Sequence, residues 1–271
     1  METEVKPGSA AEPGQTGDAV PGAGANAPVD ASAINAENIT NIYRAKCLGA
    51  MGALPKVLPS VWEYCQKHRA AGRMWQDFYP LKLLELWDIL QTEKPSTILE
   101  LGSGCTTAVF AEYCNRQYNE ETTWFPRGCN FWTVDENAKF QTEVLRDINS
   151  LFVRSAVLPT EELRIANSPE NDCVFYKGLS GLSFWGSGGG FLYVDGPANS
   201  EVPCADASHL MQQDKKPAVV VFDIRRSAVD FARREFGGGN HYDWSISCFQ
   251  EKDVPWYLSA VRHHTVARRR A

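Results

Sequence analysis

The stretch Thr97-Ile-Leu-Glu-Leu-Gly-Ser-Gly-Cys-Thr-Thr107 decides the fold of this chain. It begins as a short apolar run, carries an acid at Glu100, and passes through a glycine turn into Thr106–Cys114, which has the pattern of a helix. Glycines directly after a strand permit a tight turn and let a ligand approach the backbone closely. A strand, a glycine turn and a helix in this order predict an α/β unit with a ligand site at the turn.

Strand-like and helix-like segments alternate on both sides of this stretch. Near-continuous apolar runs, typical of fully buried strands, occur at Phe131–Asp135, Phe191–Asp195 and Ala218–Asp223. Helical patterns occupy residues 81–90, 137–152, 205–213 and 227–236, and two closing strands are predicted at residues 242–249 and 257–263. This alternation predicts an α/β fold, Rossmann-like and doubly wound, with a mostly parallel sheet covered by helices on both faces.

The chain divides into three segments by composition. Residues 1–33 are rich in Gly, Pro and Ala and contain no aromatic residue, so we expect a disordered tail. Residues 34–79 gain aromatic residues, and their Pro and Gly spacing predicts an N-terminal cap of short helices. Residues 80–271 hold the alternating segments and form the main domain.

Four of the predicted strands end in a carboxylate: Glu100, Asp135, Asp195 and Asp223. The carboxyl ends of parallel strands form the ligand crevice of a doubly wound sheet. Packing does not explain acids there, because an unpaired buried carboxylate is costly. The pattern therefore predicts one acidic crevice that suits a positively charged ligand.

The glycine turn argues against a dinucleotide as that ligand. In the pattern GxGxxG the third glycine lets a pyrophosphate sit on the helix N-terminus, and Thr107 occupies that position here. Glu100, two residues before the first glycine, would also repel a pyrophosphate. S-adenosylmethionine, with its amino group and its sulfonium, suits this environment better.

Four motifs resemble those of class I S-adenosylmethionine-dependent methyltransferases, in order and in spacing. The resembling stretches are Glu100-Leu-Gly-Ser-Gly104 (first motif), Thr133-Val-Asp135 (second strand), Tyr193-Val-Asp-Gly-Pro197 (fourth strand, in the branch with a Val-Asp-Gly-Pro signature) and Val221-Phe-Asp-Ile-Arg225 (fifth strand). The similarity covers residues 80 to 263. The chain departs from the family pattern at Thr106, where a third glycine is common, and in the long spacing from Gly104 to Asp135.

The resemblance implies a set of cofactor-binding residues. They are Glu100, Gly102 and Gly104 around the methionine and ribose moieties, Ser103 and Thr106 as polar contacts, and Asp195 facing the methionine end and the acceptor. Asp135 would bind the ribose hydroxyls, and Glu136 would replace it if the strand ends one residue later.

Methyl transfer needs a base only where the acceptor loses a proton, and two residues are candidates for that role. Asp195 is the first, for proton transfer or for orienting the acceptor, and His209 is the second. Catechol-type O-methyltransferases also hold a divalent cation on strand-end acids, and Asp195 and Asp223 match those acids in position. Ile224 stands where an amide ligand would follow, so an ion pair of Asp223 with Arg225 or Arg226 is the alternative.

Composition limits the partners and the compartment. The net charge of −6 argues against a broad nucleic-acid surface, and we interpret Arg268–Arg270 as a solvated tail. The eight cysteines include no CxxC pair and favour a reducing compartment, and no apolar stretch is long enough to span a membrane. We expect a cytoplasmic protein that acts on a small-molecule acceptor, with a homo-oligomer left open.

Three functions follow from the sequence. The first is methyl transfer from S-adenosylmethionine to an unidentified acceptor. A catalytically silent methyltransferase fold that serves as an interaction protein is the second. The third is a nicotinamide-dependent oxidoreductase, against which Thr107 and Glu100 argue.

Overall fold

A computed structural model describes most of the chain from Ala31 to Arg270. The described residues are 31–72, 79–120, 129–148, 152–164, 172–179, 190–197, 205–212, 217–223, 229, 232–233, 241–246 and 264–270. Residues 1–30 of the predicted tail, and both arginines offered as partners of Asp223, lie outside these ranges.

Among the residues described before the sheet there are three helices: α1 (Ala31–Val57), α2 (Pro59–Ala70) and α3 (Tyr79–Glu93). Helix α1 begins inside the segment predicted as tail and is one long helix rather than several short ones. Leu58 and Cys65 of this region share one buried core with Leu83 and Leu86 of α3. The predicted cap is therefore packed against the sheet domain through a common core.

In the ranges that the structure describes, nine strands and three further helices with assigned bounds follow. Their bounds are β1 (Thr97–Leu101), α4 (Cys105–Glu120), β2 (Asn130–Asp135), α5 (Ala138–Arg146), β3 (Val153–Val157), β4 (Thr160–Arg164), β5 (Asp172–Tyr176), β6 (Phe191–Val194), α6 (Ala205–Gln212), β7 (Val219–Asp223), β8 (Tyr242–Ile246) and β9 (His264–Arg269). Seven strands form one sheet in the order β3-β2-β1-β6-β7-β9-β8, and β4 and β5 form a separate hairpin. The pairs from β3 to β7 are parallel, whereas β9 runs antiparallel to both β7 and β8.

Both faces of the sheet are buried. Along β7, Val219 and Val221 contribute to the core beneath α3 and α4, and Val220 and Phe222 contribute to the core beneath α6. Because successive side chains of a strand point to opposite faces, this division shows helices packed on each side. The predicted Rossmann-like α/β class, with a mostly parallel sheet, is confirmed.

Some predicted boundaries differ from the structure. The predicted helix 137–152 is shorter: Asn137 caps it, with Oδ1 accepting from Phe140 N at 3.0 Å, and it ends at Arg146. Residues 153–157 pair with β2 instead, as the edge strand β3. The closing strand predicted at 257–263 lies outside the described residues, and β9 begins directly after it.

The arginine cluster is largely exposed, as the interpretation of a solvated segment expects, but it belongs to β9 and its end, so the prediction of a tail was wrong. Arg268 Nε donates to Glu93 Oε1 at 2.6 Å, and Arg268 also donates to Ser245 Oγ at 3.0 Å. Arg270 Nε donates to Asp243 Oδ1 at 2.7 Å. Pairing of β9 with β8 brings Asp243 within reach of Arg270, whereas Glu93 approaches Arg268 from the end of α3.

Two features are absent from the described residues: a helix able to span a membrane and a disulfide. None of the helices in those ranges combines the length and the apolar character that crossing a membrane requires. Six cysteines fall in the same ranges, and none of them forms a disulfide.

Candidate functional site

The four predicted strand-end acids lie at one edge of the sheet. Asp135 and Asp223 are the last residues of β2 and β7, Asp195 follows β6 directly, and Glu100 is the penultimate residue of β1. These strands are neighbours, in the order β2-β1-β6-β7, and run parallel. The sheet therefore gathers the four carboxylates at its carboxyl edge, where ligands of doubly wound sheets bind.

The loop from β1 to α4 is fixed by close backbone contacts at Gly102, whereas its second glycine, Gly104, has open space beside it. Gly102 N donates to Val134 O at 2.7 Å, and the backbone of Gly102 has a φ of +91°. A Cβ at Gly102 would lie 2.7 Å from Gly196 Cα, so the close approach of the two backbones requires glycine. A Cβ at Gly104 would meet nothing within 4 Å, which leaves the second half of the loop accessible.

Glu100 lies beneath this loop and is fully buried. Its carboxylate accepts hydrogen bonds from the hydroxyls of Thr106 at 2.6 Å, Thr107 at 2.7 Å and Thr133 at 2.7 Å. Burial raises the pKa of Glu100 to about 8, although the three hydroxyls favour its charged form. The geometry gives Glu100 and Thr106 a role in supporting the loop, and their predicted direct contact with a cofactor stays a prediction.

Ser103 connects the loop to β2. Its backbone N–H donates to Asp135 Oδ2 at 2.8 Å, and its hydroxyl lies 2.9 Å from Thr133 Oγ1. Gln141 of α5 donates from Nε2 to Ser103 Oγ at 3.3 Å and to Ala156 O at 3.1 Å. Sequence reasoning missed Thr133 and Gln141, which are ordinary polar residues until the strands bring them together.

The two acids at the end of β2 occupy different environments. Asp135 is 5% exposed, and its carboxylate accepts from the backbone N–H groups of Ser103 and Asn137, each at 2.8 Å. Burial raises the pKa of Asp135, while these backbone hydrogen bonds oppose the shift. Glu136 is only partly buried and accepts from Tyr176 Oη at 3.2 Å. Of the two carboxylates, Glu136 is the more exposed.

A small cavity separates the loop from the helices that precede the sheet. Tyr64 and His68 of α2 line it together with Gly104, Thr106 and Asp195, and its volume is about 40 Å³. Such a volume suits one or two water molecules and is too small for a nucleoside.

At the ends of β6 and β7 a buried lysine joins two of the acids. The Lys82 ammonium, from α3, pairs with Asp223 and lies 3.7 Å from Asp195 Oδ2. Burial alone would raise the pKa of Asp223, but Lys82, together with His264 and a hydrogen bond with Asp195, holds the pKa below its usual value. Asp195 keeps a side-chain exposure of 30%, so its carboxylate also faces the crevice.

Sequence reasoning missed Lys82, although a signal was present. Lys82 lies four and seven positions before Leu86 and Ile89, on the buried stripe of α3. A lysine on such a stripe requires a buried anionic partner, because an unpaired buried charge is costly.

His209 is not part of this cluster. It is exposed on α6 and lines a separate cavity of about 310 Å³, bordered by Phe175, Leu179 and Asp206. The predicted proton-transfer role of His209 stays a prediction, and the position of its side chain does not support it.

Comparison with known proteins gives weak likenesses. The sequence matches no protein-family model, and it matches no curated protein. The O-methyltransferase TomG from Streptomyces achromogenes, which is involved in tomaymycin synthesis and was solved with S-adenosylmethionine, superposes with a TM-score of 0.47 at 15% identity, over 80% of this chain and 94% of its own. An O-methyltransferase from Bacillus cereus, solved with S-adenosylhomocysteine, gives a TM-score of 0.46 at 14% identity, over the same shares. These TM-scores and identities are too low to assign a function, so a functional proposal has to rest on the residues of the site.

Proposed function

We propose that this chain is an S-adenosylmethionine-dependent methyltransferase of class I that acts on a small-molecule acceptor. One observation carries the proposal: an open glycine loop lies at the edge of the sheet where four carboxylates converge. The partly exposed acids at this edge are Glu136 and Asp195, and such acids beside a loop with accessible backbone favour a ligand that combines a nucleoside with positive charge. S-adenosylmethionine has both properties.

The two acids at the end of β2 have different roles in binding this cofactor. Glu136 is partly exposed and its carboxylate is an acceptor, so it is suited to accept from the ribose hydroxyls. Asp135 shapes the loop through the backbone N–H of Ser103 and contributes indirectly. Of the two acids that the resemblance implies for binding the ribose hydroxyls, we therefore assign Glu136.

Catalysis by this site would consist mainly of positioning. The cofactor, when bound, supplies a methyl group on a sulfonium; the bond from sulfur to carbon breaks as the bond from acceptor to carbon forms. Asp195 faces the crevice and is suited to orient an acceptor hydroxyl or amine and to accept its proton. Lys82, 3.7 Å from Asp195 Oδ2, compensates the negative charge of that carboxylate before any proton moves.

The assignment of Glu136 predicts a difference between two conservative variants. Glu136→Gln should weaken the binding of S-adenosylhomocysteine about tenfold with unchanged stability, because one charged acceptor for ribose hydroxyls is lost. Asp135→Asn should lower the free energy of unfolding by about 1–3 kcal/mol, since an amide N–H₂ would face a backbone N–H group. Titration calorimetry and urea denaturation measure the two effects.

Tyr176→Phe is the matched control for the first variant, because it removes the hydrogen bond to Glu136 and keeps the carboxylate. It should weaken binding less than Glu136→Gln does. Absence of binding by the unaltered chain at millimolar S-adenosylmethionine would reject the proposed function itself. Equal affinities of the unaltered chain and Glu136→Gln would reject only the role of Glu136.

A hydrogen bond in the loop argues against the alternative of a nicotinamide-dependent oxidoreductase. The Gly104 N–H, which a pyrophosphate would need as a donor, donates to Thr107 Oγ1 at 2.8 Å. That hydroxyl in turn donates to Glu100. The side chain at the third-glycine position therefore uses a donor that a dinucleotide phosphate would need, and this observation argues against the nicotinamide alternative.

A further inference from the structure

The cluster of Lys82, Asp195 and Asp223 joins three separate parts of the fold. Lys82 and Asp223 are 6% and 7% exposed at their side chains, and Asp195 is the more accessible member. The lysine belongs to α3, before the first strand, whereas the aspartates end β6 and β7. Their meeting point is the place where catechol-type O-methyltransferases hold a divalent cation.

The residues present there do not fit such a cation. Mg²⁺ and Mn²⁺ need several oxygen ligands around them and carry two positive charges. Here an ammonium already lies against both carboxylates, and a second cation would have to approach it at contact distance in a buried site. Among the described residues, no group of three or more His, Cys, Asp and Glu side chains is arranged to hold a metal ion.

We propose that the Lys82 ammonium replaces the divalent cation at the ends of β6 and β7, so that the acceptor site works without a metal. Lys82 is in this view a positioning residue: it fixes the Asp223 carboxylate and compensates the charge of Asp195, which faces the acceptor. The claim that the acceptor site works without a metal rests on the proposed function. The claim that Lys82 excludes a divalent cation does not depend on it.

His264 and Glu85 complete the surroundings of this cluster. His264 Nε2 lies 3.1 Å from the Tyr193 hydroxyl, and His264 Nδ1 lies 3.5 Å from Glu85 Oε2. These groups hold the start of β9 against β6 and α3. Because Asp223 and His264 are register partners on β7 and β9, this polar group lies beside the ion pair of Lys82 with Asp223.

The test is the binding of Mn²⁺ alone, without cofactor or acceptor, to the full chain and to Lys82→Met. Methionine keeps an unbranched stem of similar length and removes the charge, which leaves two carboxylates without a cation. The binding of Mn²⁺, measured by electron paramagnetic resonance, should become at least about tenfold tighter in the variant. Lys177→Ala, which removes an exposed lysine paired with Glu161 on the hairpin, changes the net charge equally and should leave Mn²⁺ binding unchanged.

Equal binding of Mn²⁺ by the unaltered chain and by Lys82→Met would overturn the proposal, and so would an equal gain in Lys177→Ala. The thermal unfolding of the unaltered chain gives a second test that does not require the variant to fold. Millimolar Mn²⁺ should leave its midpoint unchanged, because a ligand raises that midpoint only when the native state binds it. A clear rise in the midpoint would contradict the replacement of the cation by Lys82.

Discussion

Replacing Gly102 by alanine should destabilise the protein by about 2–4 kcal/mol and abolish cofactor binding. The backbone at Gly102 has a φ of +91°, which a residue with a Cβ adopts only under strain. The added methyl would also lie 2.7 Å from Gly196 Cα, and neither backbone segment is able to withdraw without breaking its ladder to Leu101 or Val134. Urea denaturation, followed by circular dichroism, measures the loss.

Gly104→Ala is the matched control for this variant. It makes the same chemical change two residues away, where the φ is ordinary and a Cβ would meet nothing within 4 Å. Its free energy of unfolding should stay within about 0.5 kcal/mol of the unaltered chain. Equal destabilisation by the two variants would show that the close approach of Gly102 and Gly196 does not exist in solution.

The second large effect is a pH-dependent gain in stability from Glu100→Gln. Burial raises the pKa of Glu100 from 4.5 to about 8, so the folded state holds this proton more tightly than the unfolded state. The stability that this tighter proton binding contributes is therefore fully present below pH 4.5 and is lost as the pH rises to about 8. Glutamine keeps the shape and does not titrate. Relative to the unaltered chain, the variant should gain up to about 1.4 kcal/mol per pH unit across this window.

Urea denaturation of both proteins at several pH values between 5 and 9 tests this expectation. The other titrating groups are common to both proteins, so their contributions cancel in the difference. A difference in stability that stays constant with pH would show that burial does not raise the pKa of Glu100. A difference of the opposite slope would mean that the three threonine hydroxyls outweigh burial.

The central strands were predictable because their sequence shows them directly. β1, β6 and β7 are short, largely apolar runs, and every residue in each is buried. β3 gave no such signal, because an edge strand with exposed and half-buried residues has no apolar run to reveal it. The hairpin of β4 and β5 was missed as well, since it pairs only with itself.

The site was predictable in its location and not in its internal contacts. Strand-end acids follow from the topology, so Asp135, Asp195 and Asp223 were found from the sequence. Their partners depend on distant parts of the chain: Glu100 binds Thr133, and Asp223 binds Lys82. No local pattern encodes these contacts, and a buried lysine on α3 was the single available hint.

The ion pair of Lys82 with Asp223 also has a consequence for how the protein folds. It joins positions 141 residues apart, and the contact of Glu93 with Arg268 spans 175 residues. Contacts with such separation form late, because the entropy of closing the intervening loops has to be overcome first. Folding should accordingly be slow for a chain of this size. The acidic edge should exist only once the whole sheet has assembled, so no partly folded species would hold its ligand.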